Sequence, residues 1–191
     1  SGSEIARGEV TGVDSMILAD ALLELTVNKS GEAELDSGVL ADVMLKDDRM
    51  IVGVSEFTAA LLQRTLQLAH LKMGEIHYQD TARFERAKAW CRYAMIDAQQ
   101  RYVGRGIKQG LAHLSKKKQD KQYRREFKRA VASGLSRWQR EWDACEQQID
   151  HMWAGYVAEK SKKANTIVWG RVLLDVMQLG AALINFSHQK N

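Results

Sequence analysis

The chain has 191 residues, a formal net charge of +4, 45% hydrophobic residues and no proline. This length suits one domain with a hydrophobic core and is short for two. Because proline is common in the turns of β and α/β proteins and interrupts helices, its absence argues against those classes and favours long helices. We therefore predict an all-α protein, a compact helical bundle formed by residues 1–191 as a single domain.

The first quarter of the chain has the weakest periodicity. Asp14 is a suitable N-cap for a helix that extends to about Leu25. Residues 28–31, Asn-Lys-Ser-Gly, are typical of a turn, and the segments on either side of it could pair as a minor β-hairpin. These segments are 25–27 and 33–35, and two further apolar runs of undecided structure follow at 39–45 and 50–54.

Two amphipathic helices are predicted in the middle of the chain. The first runs from Ser55 to Gly74, and the second begins after the N-cap Asp80. Their apolar residues recur at intervals of three and four, which is the spacing of one helical face: Phe57, Leu61, Leu62, Leu66, Ala69 and Met73, then Phe84, Ala87, Cys91, Ala94, Met95 and Ala98. Three glycines then predict a short connecting segment: Gly104, Gly106 and Gly110.

The strongest pattern in the sequence lies in its second half, and it predicts a helix from about Lys118 to Lys163. Such a helix is about 65 to 70 Å long at 1.5 Å per residue, so it either bends near Ser133 and Gly134 or projects from the domain. Its apolar residues form a heptad-like seam: Phe127, Val131, Leu135, Trp138, Trp142, Cys145, Ile149, Met152 and Tyr156.

The last apolar stretch is predicted to fold back on this long helix. Asn165 is a suitable N-cap, and the two helices would form a helical hairpin over residues 118–187. The stretch from 166 to 186 is apolar nearly all round, which is typical of a buried helix. Arg171 and Asp175 near its middle would be costly at the centre of a bilayer, so no membrane span is predicted.

Charge is distributed unevenly along the chain. Residues 1–60 carry four Lys/Arg and twelve Asp/Glu, a net charge of −8. Residues 101–140 carry thirteen Lys/Arg and two Asp/Glu, a net charge of +11. On a helical wheel four basic residues of the long helix lie opposite its apolar seam, so the seam can pack while these charges face solvent. They are Lys118, Arg125, Arg129 and Arg140, and Lys121 and Arg137 flank them. The sequence therefore contains a basic segment within an otherwise acidic or neutral chain.

We interpret the basic segment as a surface that contacts the phosphate backbone of DNA or RNA, because clustered Lys and Arg release counterions from a polyanion. A tyrosine among the charges could stack on an unpaired base. The predicted binding residues are Lys116, Lys117, Lys118, Lys121, Tyr123, Arg125, Arg129, Arg101, Arg105 and Arg140. This interpretation gives a nucleic-acid-binding accessory protein without base-sequence specificity.

Four alternatives compete with this interpretation. The basic face could meet an acidic protein or an anionic membrane surface, or the acidic residues 1–60 could partly neutralise it. The chain could also be an assembly subunit that joins a protein partner or a second copy of itself through its apolar C-terminal helix and its tryptophan-rich seam, with contacts at Trp138, Trp142, Ile149 and Trp153.

Enzymatic activity is not predicted, because no residue stands in a context that activates it. His70 and His77 do not match the ligand spacing of a metal site, and no cofactor motif is present. Cys91 and Cys145 lie in apolar helical patterns, as expected for two reduced core thiols. Two cysteines are too few for a disulfide framework, and this favours a cytoplasmic compartment.

Overall fold

A computed structural model of the protein describes residues 12–30 and 52–190. Across these residues the structure is 92% helical, with four helices and no strand, which confirms the all-α class. In chain order the helices are α1 (Gly12–Ser30), α2 (Val54–Gly74), α3 (Thr81–Leu111) and α4 (Lys116–Lys190).

Both middle helices begin close to the predicted residues, and the first of them also ends there. Gly53, which is extended with φ −64° and ψ 151°, precedes α2, and Gly74 is its last residue. The N-cap of α3 is Asp80, whose carboxylate accepts a hydrogen bond of 3.1 Å from the backbone N–H of Arg83. This bond satisfies one of the N–H groups that a helix start leaves without an intrahelical partner.

The β-hairpin predicted near the N-terminus is wrong on its first arm. Residues 25–27 lie inside α1, where the hydroxyl of Thr26 donates a hydrogen bond to the carboxylate of Asp97 in α3. Leu22 and Leu23, one turn earlier, are buried in the core, so tertiary contacts hold this segment as a helix. The predicted second arm at 33–35 and the apolar run at 39–45 lie outside the described residues, as do 50 and 51.

The core of the described part forms around α3, which packs against each of the other helices. Phe57 of α2 stacks on Tyr102 of α3, with ring centroids 4.1 Å apart, and Phe84 of α3 stacks on Trp153 of α4 at 4.4 Å. Such pairs add about 0.5 to 1.5 kcal/mol each beyond the apolar area they bury. The aromatic rings therefore fix both faces of α3 against its neighbours.

The predicted connecting segment at Gly104, Gly106 and Gly110 is also wrong, because all three glycines lie inside α3. Gly104 is buried where α3 meets α4, and a Cβ there would lie 2.7 Å from the hydroxyl oxygen of Tyr123. This glycine permits a close helix crossing instead of ending the helix.

The long helix α4 is longer than predicted. It runs without interruption from Lys116 to Lys190, 75 residues, about 112 Å at 1.5 Å per residue. The predicted hairpin over 118–187 is therefore wrong: Asn165 lies inside the helix, and the Thr166 hydroxyl donates to the Lys162 carbonyl oxygen one turn back. Instead, α4 packs against α3, to which residues 112–115 connect it, and also against α2.

The apolar stretch at 166–186 was predicted to be buried, and the structure contradicts this. Its large side chains are exposed, from 42% at Val172 to 70% at Trp169. An 18-residue window of α4 has a mean hydropathy of 1.6 with none of it buried, so α4 is long and apolar enough to cross a membrane by length and composition. We call residues 166–186 the apolar segment.

Candidate nucleic-acid interface

The seam of α4 determines which side of the helix faces solvent. Trp138, Trp142, Cys145 and Ile149 are at most 2% exposed and pack toward α3 and α2, as the spacing predicts. Trp153, which the sequence analysis also assigns to the tryptophan-rich seam, lies in the core with Trp142, Cys145 and Ile149. The opposite side of the first half of α4 is left in solvent, and most of the predicted basic residues lie there.

The predicted seam is wrong at one position, Leu135, which is 50% exposed. The buried residue at this level is Gly134, and a Cβ on it would lie 2.6 Å from the ring of Trp138. The indole therefore packs directly over the glycine one turn earlier.

Five exposed basic side chains share the side of α4 opposite the seam, which we call the basic face. They extend over about 33 Å of α4 at 1.5 Å per residue. Within the described part of the chain, none of the five forms an ion pair. These residues are Lys118, Lys121, Arg125, Arg129 and Arg140.

Three further positions extend or flank the basic face. Lys116 and Lys117 are exposed in the first turn of α4 and continue the run of predicted residues. Arg137, by contrast, lies 3.6 Å from the carboxylate of Glu141, one turn further on. The charge available to a ligand is therefore greatest toward the N-terminal end of the helix.

The other predicted binding residues do not lie on this surface. Arg101 of α3 is half-buried and forms an ion pair of 2.7 Å with Asp97, and Arg105 is also half-buried in α3. Both line a cavity of about 320 Å³ between α1, α3 and α4. The structure thus divides the predicted residues into an exposed group on α4 and a smaller group inside a groove.

Tyr123 belongs to the groove and not to the basic face. Its hydroxyl lies over Gly104, and its ring stacks on Phe127 with centroids 5.6 Å apart. The Nζ of Lys108 stands 5.6 Å from the same ring. Both α3 and Phe127 pack against this tyrosine, so it is a packing residue in this structure. The ring that was expected to stack on an unpaired base is therefore not exposed here.

Three acidic side chains of α4, Glu141, Glu146 and Asp150, contact α3, whereas Asp143 is exposed at the helical angle of the basic face. Lys88 of α3 contacts Asp150 at 2.9 Å and Glu146 at 3.6 Å, both on α4, and Glu85 on its own helix at 3.2 Å. Burial alone would lower the pKa of Lys88, but these three carboxylates raise it above its ordinary value. The ion pairs of Lys88 therefore help to hold α4 in the orientation that leaves the basic face exposed.

Glu141 is another acidic side chain of α4 that bonds to α3. Its carboxylate accepts a hydrogen bond of 2.8 Å from the side-chain amide of Gln99 in α3. Burial raises the pKa of Glu141, although the positive charges of Arg137 and Arg140 and the Gln99 bond act in the opposite direction. In α1, Asp20 lies 3.0 Å from Arg64 of α2, so this acidic residue of the N-terminal part is paired within the core helices and not with the basic face.

The thiols and histidines form no chemical site in the described residues. Burial raises the pKa of Cys91 to about 11 and that of Cys145 to about 12, which keeps both protonated and unreactive near neutral pH. His70 is exposed on α2, and His77 lies in the turn before α3, where its Nδ1 accepts from the Gln79 backbone N–H. In this part of the chain no group of three or more His, Cys, Asp or Glu could hold a metal ion.

Sequence reasoning missed Arg124 and Lys128, which are exposed beside the basic face. The helical wheel that selects Arg125 and Arg129 also places Lys128 next to Lys121, so the signal for Lys128 was present in the spacing. The same wheel places Arg124 at the angle of the apolar seam, so its exposure does not follow from the spacing. Comparison with known proteins gives no matching family model, no matching curated protein and no matching solved structure. The fold and the basic face therefore carry the functional argument.

Proposed function

We propose that this is a non-enzymatic nucleic-acid-binding accessory protein that contacts the phosphate backbone through the basic face. The observation that carries the proposal is the cluster of exposed cations along one side of α4, none in an ion pair within the described residues. Like charges so close together repel one another, and a polyanion relieves this repulsion while releasing its own counterions.

The form of the surface favours a duplex over a single strand. The basic face is linear, about 33 Å long, and presents Lys and Arg without an exposed aromatic ring among them. Proteins that bind single strands usually add aromatic platforms to their charges. With Tyr123 packed against α3, the proposed contacts are electrostatic and without base specificity.

We further propose that α1, α2, α3 and the packed half of α4 form a compact bundle that serves as a rigid support for this face. Two buried, unpaired thiols suit a reducing compartment, and we place the folded part in the cytoplasm on that basis. A partner complex would supply any sequence specificity.

The test is a fluorescence-anisotropy titration with labelled duplex and single-stranded DNA and RNA at low salt. We expect a Kd of about 10⁻⁴ to 10⁻⁶ M at physiological salt, as for other electrostatic binding, and tighter binding at low salt. Binding should be lost in Lys118→Glu/Arg125→Glu/Arg129→Glu. The matched control, Arg83→Glu/Arg86→Glu/Lys162→Glu, changes the net charge equally at exposed positions away from the face. It should retain most of the affinity.

Two outcomes would contradict the proposal. Absence of binding to any of the four nucleic acids at low salt would remove it, and equal losses in both triple variants would show that net charge, not the basic face, is responsible. The alternative would then be an assembly subunit. The tryptophan seam cannot provide its contact surface in this fold, because Trp138, Trp142, Ile149 and Trp153 are buried within the chain itself.

A further inference from the structure

The proposed nucleic-acid binding by the basic face gives no role to the apolar segment. Its side chains, including Ile167 at 61%, Leu173 at 61% and Leu183 at 61%, are exposed, and no described part of the chain covers them. Contiguous exposed apolar surface of this size is unusual on a protein surrounded by water. A core helix passes the same composition test as a membrane span, but a core helix is buried and this one is not.

The length of the apolar segment matches a bilayer. Its 21 residues extend about 31 Å at 1.5 Å per residue, and the hydrocarbon core of a typical bilayer is about 30 Å thick. Three lysines precede it within six residues, and their side chains can reach lipid phosphates: Lys160, Lys162 and Lys163. Trp169 lies near the same end, where tryptophan is enriched at membrane interfaces.

The angular distribution of polar residues distinguishes a lipid environment from a water-soluble coiled coil. At 100° per residue, Arg171, Asp175, Gln178 and Asn185 fall within a stripe of about 80°. The remaining circumference is apolar apart from Thr166 at the start of the segment. A coiled-coil helix has the reverse proportions, a narrow apolar seam and a broad polar surface.

The two charged residues in the segment lie at different depths, and Asp175, about 13.5 Å from the start, is close to the middle. Arg171 lies about 7.5 Å along the axis from the start of the segment, so its long side chain can extend toward the lysine-bearing end. Asp175 follows one turn later on the same side of the helix, at the spacing where opposite charges can pair. Intramembrane charges are commonly paired in this way.

We propose that the apolar segment is a membrane-spanning helix whose exposed surface is covered by a lipid bilayer. The side that carries the folded part is the side of the three lysines, which is the arrangement of cytoplasmic flanks. This inference does not depend on nucleic-acid binding. Arg140 and Thr166 are about 39 Å apart along α4, several times the screening distance of about 8 Å at physiological salt.

The test uses the full chain, purified in mild detergent and reconstituted into phosphatidylcholine vesicles, which carry no net charge for the basic face to bind. After flotation on a density gradient and a wash with alkaline carbonate, we expect the protein to remain with the vesicles. Leu173→Lys/Leu174→Lys, two exposed positions of the segment, should reduce the retained fraction by about tenfold or more. Leu135→Lys is the matched control, an exposed leucine of the same helix outside the segment, and should float like the unmodified chain.

Three outcomes would overturn the proposal. Release of the protein by the carbonate wash would mean surface attachment without a span. A stable, detergent-free oligomer that does not float would assign the apolar surface to a second copy of the chain. Flotation lost in Lys118→Glu/Arg125→Glu/Arg129→Glu but kept in the leucine variant would place membrane contact on the basic face. Circular dichroism of each variant confirms that the helices remain formed.

Discussion

The basic face leads to a quantitative prediction about salt. Each Lys or Arg that contacts a phosphate of duplex DNA contributes about 0.9 to the negative slope of log affinity against log salt concentration. With about five contacts along the 33 Å of the basic face, the slope is about −4.5, which is about a 500-fold loss of affinity between about 50 and 200 mM salt. Lys118→Gln/Arg125→Gln/Arg129→Gln removes about three contacts, so its slope should be about −1.8 and its loss about 12-fold.

The assay is a salt series of anisotropy titrations on one labelled DNA duplex. Single Gln substitutions at Lys118, Arg125 and Arg129 should each lower the slope by about 0.9, and the three reductions should add. Arg83→Gln/Arg86→Gln, exposed on α3, should leave the slope unchanged. An unchanged slope in the triple variant would refute the placement of the phosphate contacts on this face, whatever the affinity at one salt concentration.

Three further predictions concern stability and the thiols. Gly134→Ala should destabilise the fold in chemical denaturation because its Cβ would meet a buried indole, whereas Gly155→Ala, with open space, should stabilise it by up to about 1 kcal/mol. Trp142→Ala should cost about 3 to 5 kcal/mol in the same assay. Because burial raises the pKa of Cys91 to about 11 and that of Cys145 to about 12, stability should fall as the pH rises above 9, and Ala at both positions should reduce this loss in alkaline denaturation.

The sequence predicts this fold best where one helix face repeats over many turns. The seam at Trp138, Trp142, Cys145 and Ile149 is recovered because large apolar residues at gaps of three and four leave a single possible buried side. Leu135 fits the same repeat but is exposed, whereas Gly134 beside it is buried under the indole one turn later. Periodicity locates the face, whereas the size of neighbouring side chains decides which members of it are buried.

The wrong predictions arise at residues with two common structural roles. Gly104 suits either a helix end or a close helix crossing, and the residue that decides between them, Tyr123, lies on another helix. Asn165 suits either an N-cap or a helix interior, and no local signal after it forces the chain to turn. At the site, the exposed cations of α4 follow from its helical wheel, but the inward position of Tyr123 follows only from the packing of α3 on α4.

The uninterrupted α4 has a mechanical consequence. Between Tyr156, whose hydroxyl bonds to the Ile76 carbonyl oxygen at 2.9 Å, and Thr166, the helix leaves the core without a break. Because the helix is continuous through this stretch, the orientation of the folded part determines the direction in which every later side chain of α4 projects. One residue inserted in this stretch would rotate the apolar segment by about 100° about the helix axis. Seven inserted residues would return it to within about 20° of its original orientation and lengthen α4 by about 10 Å.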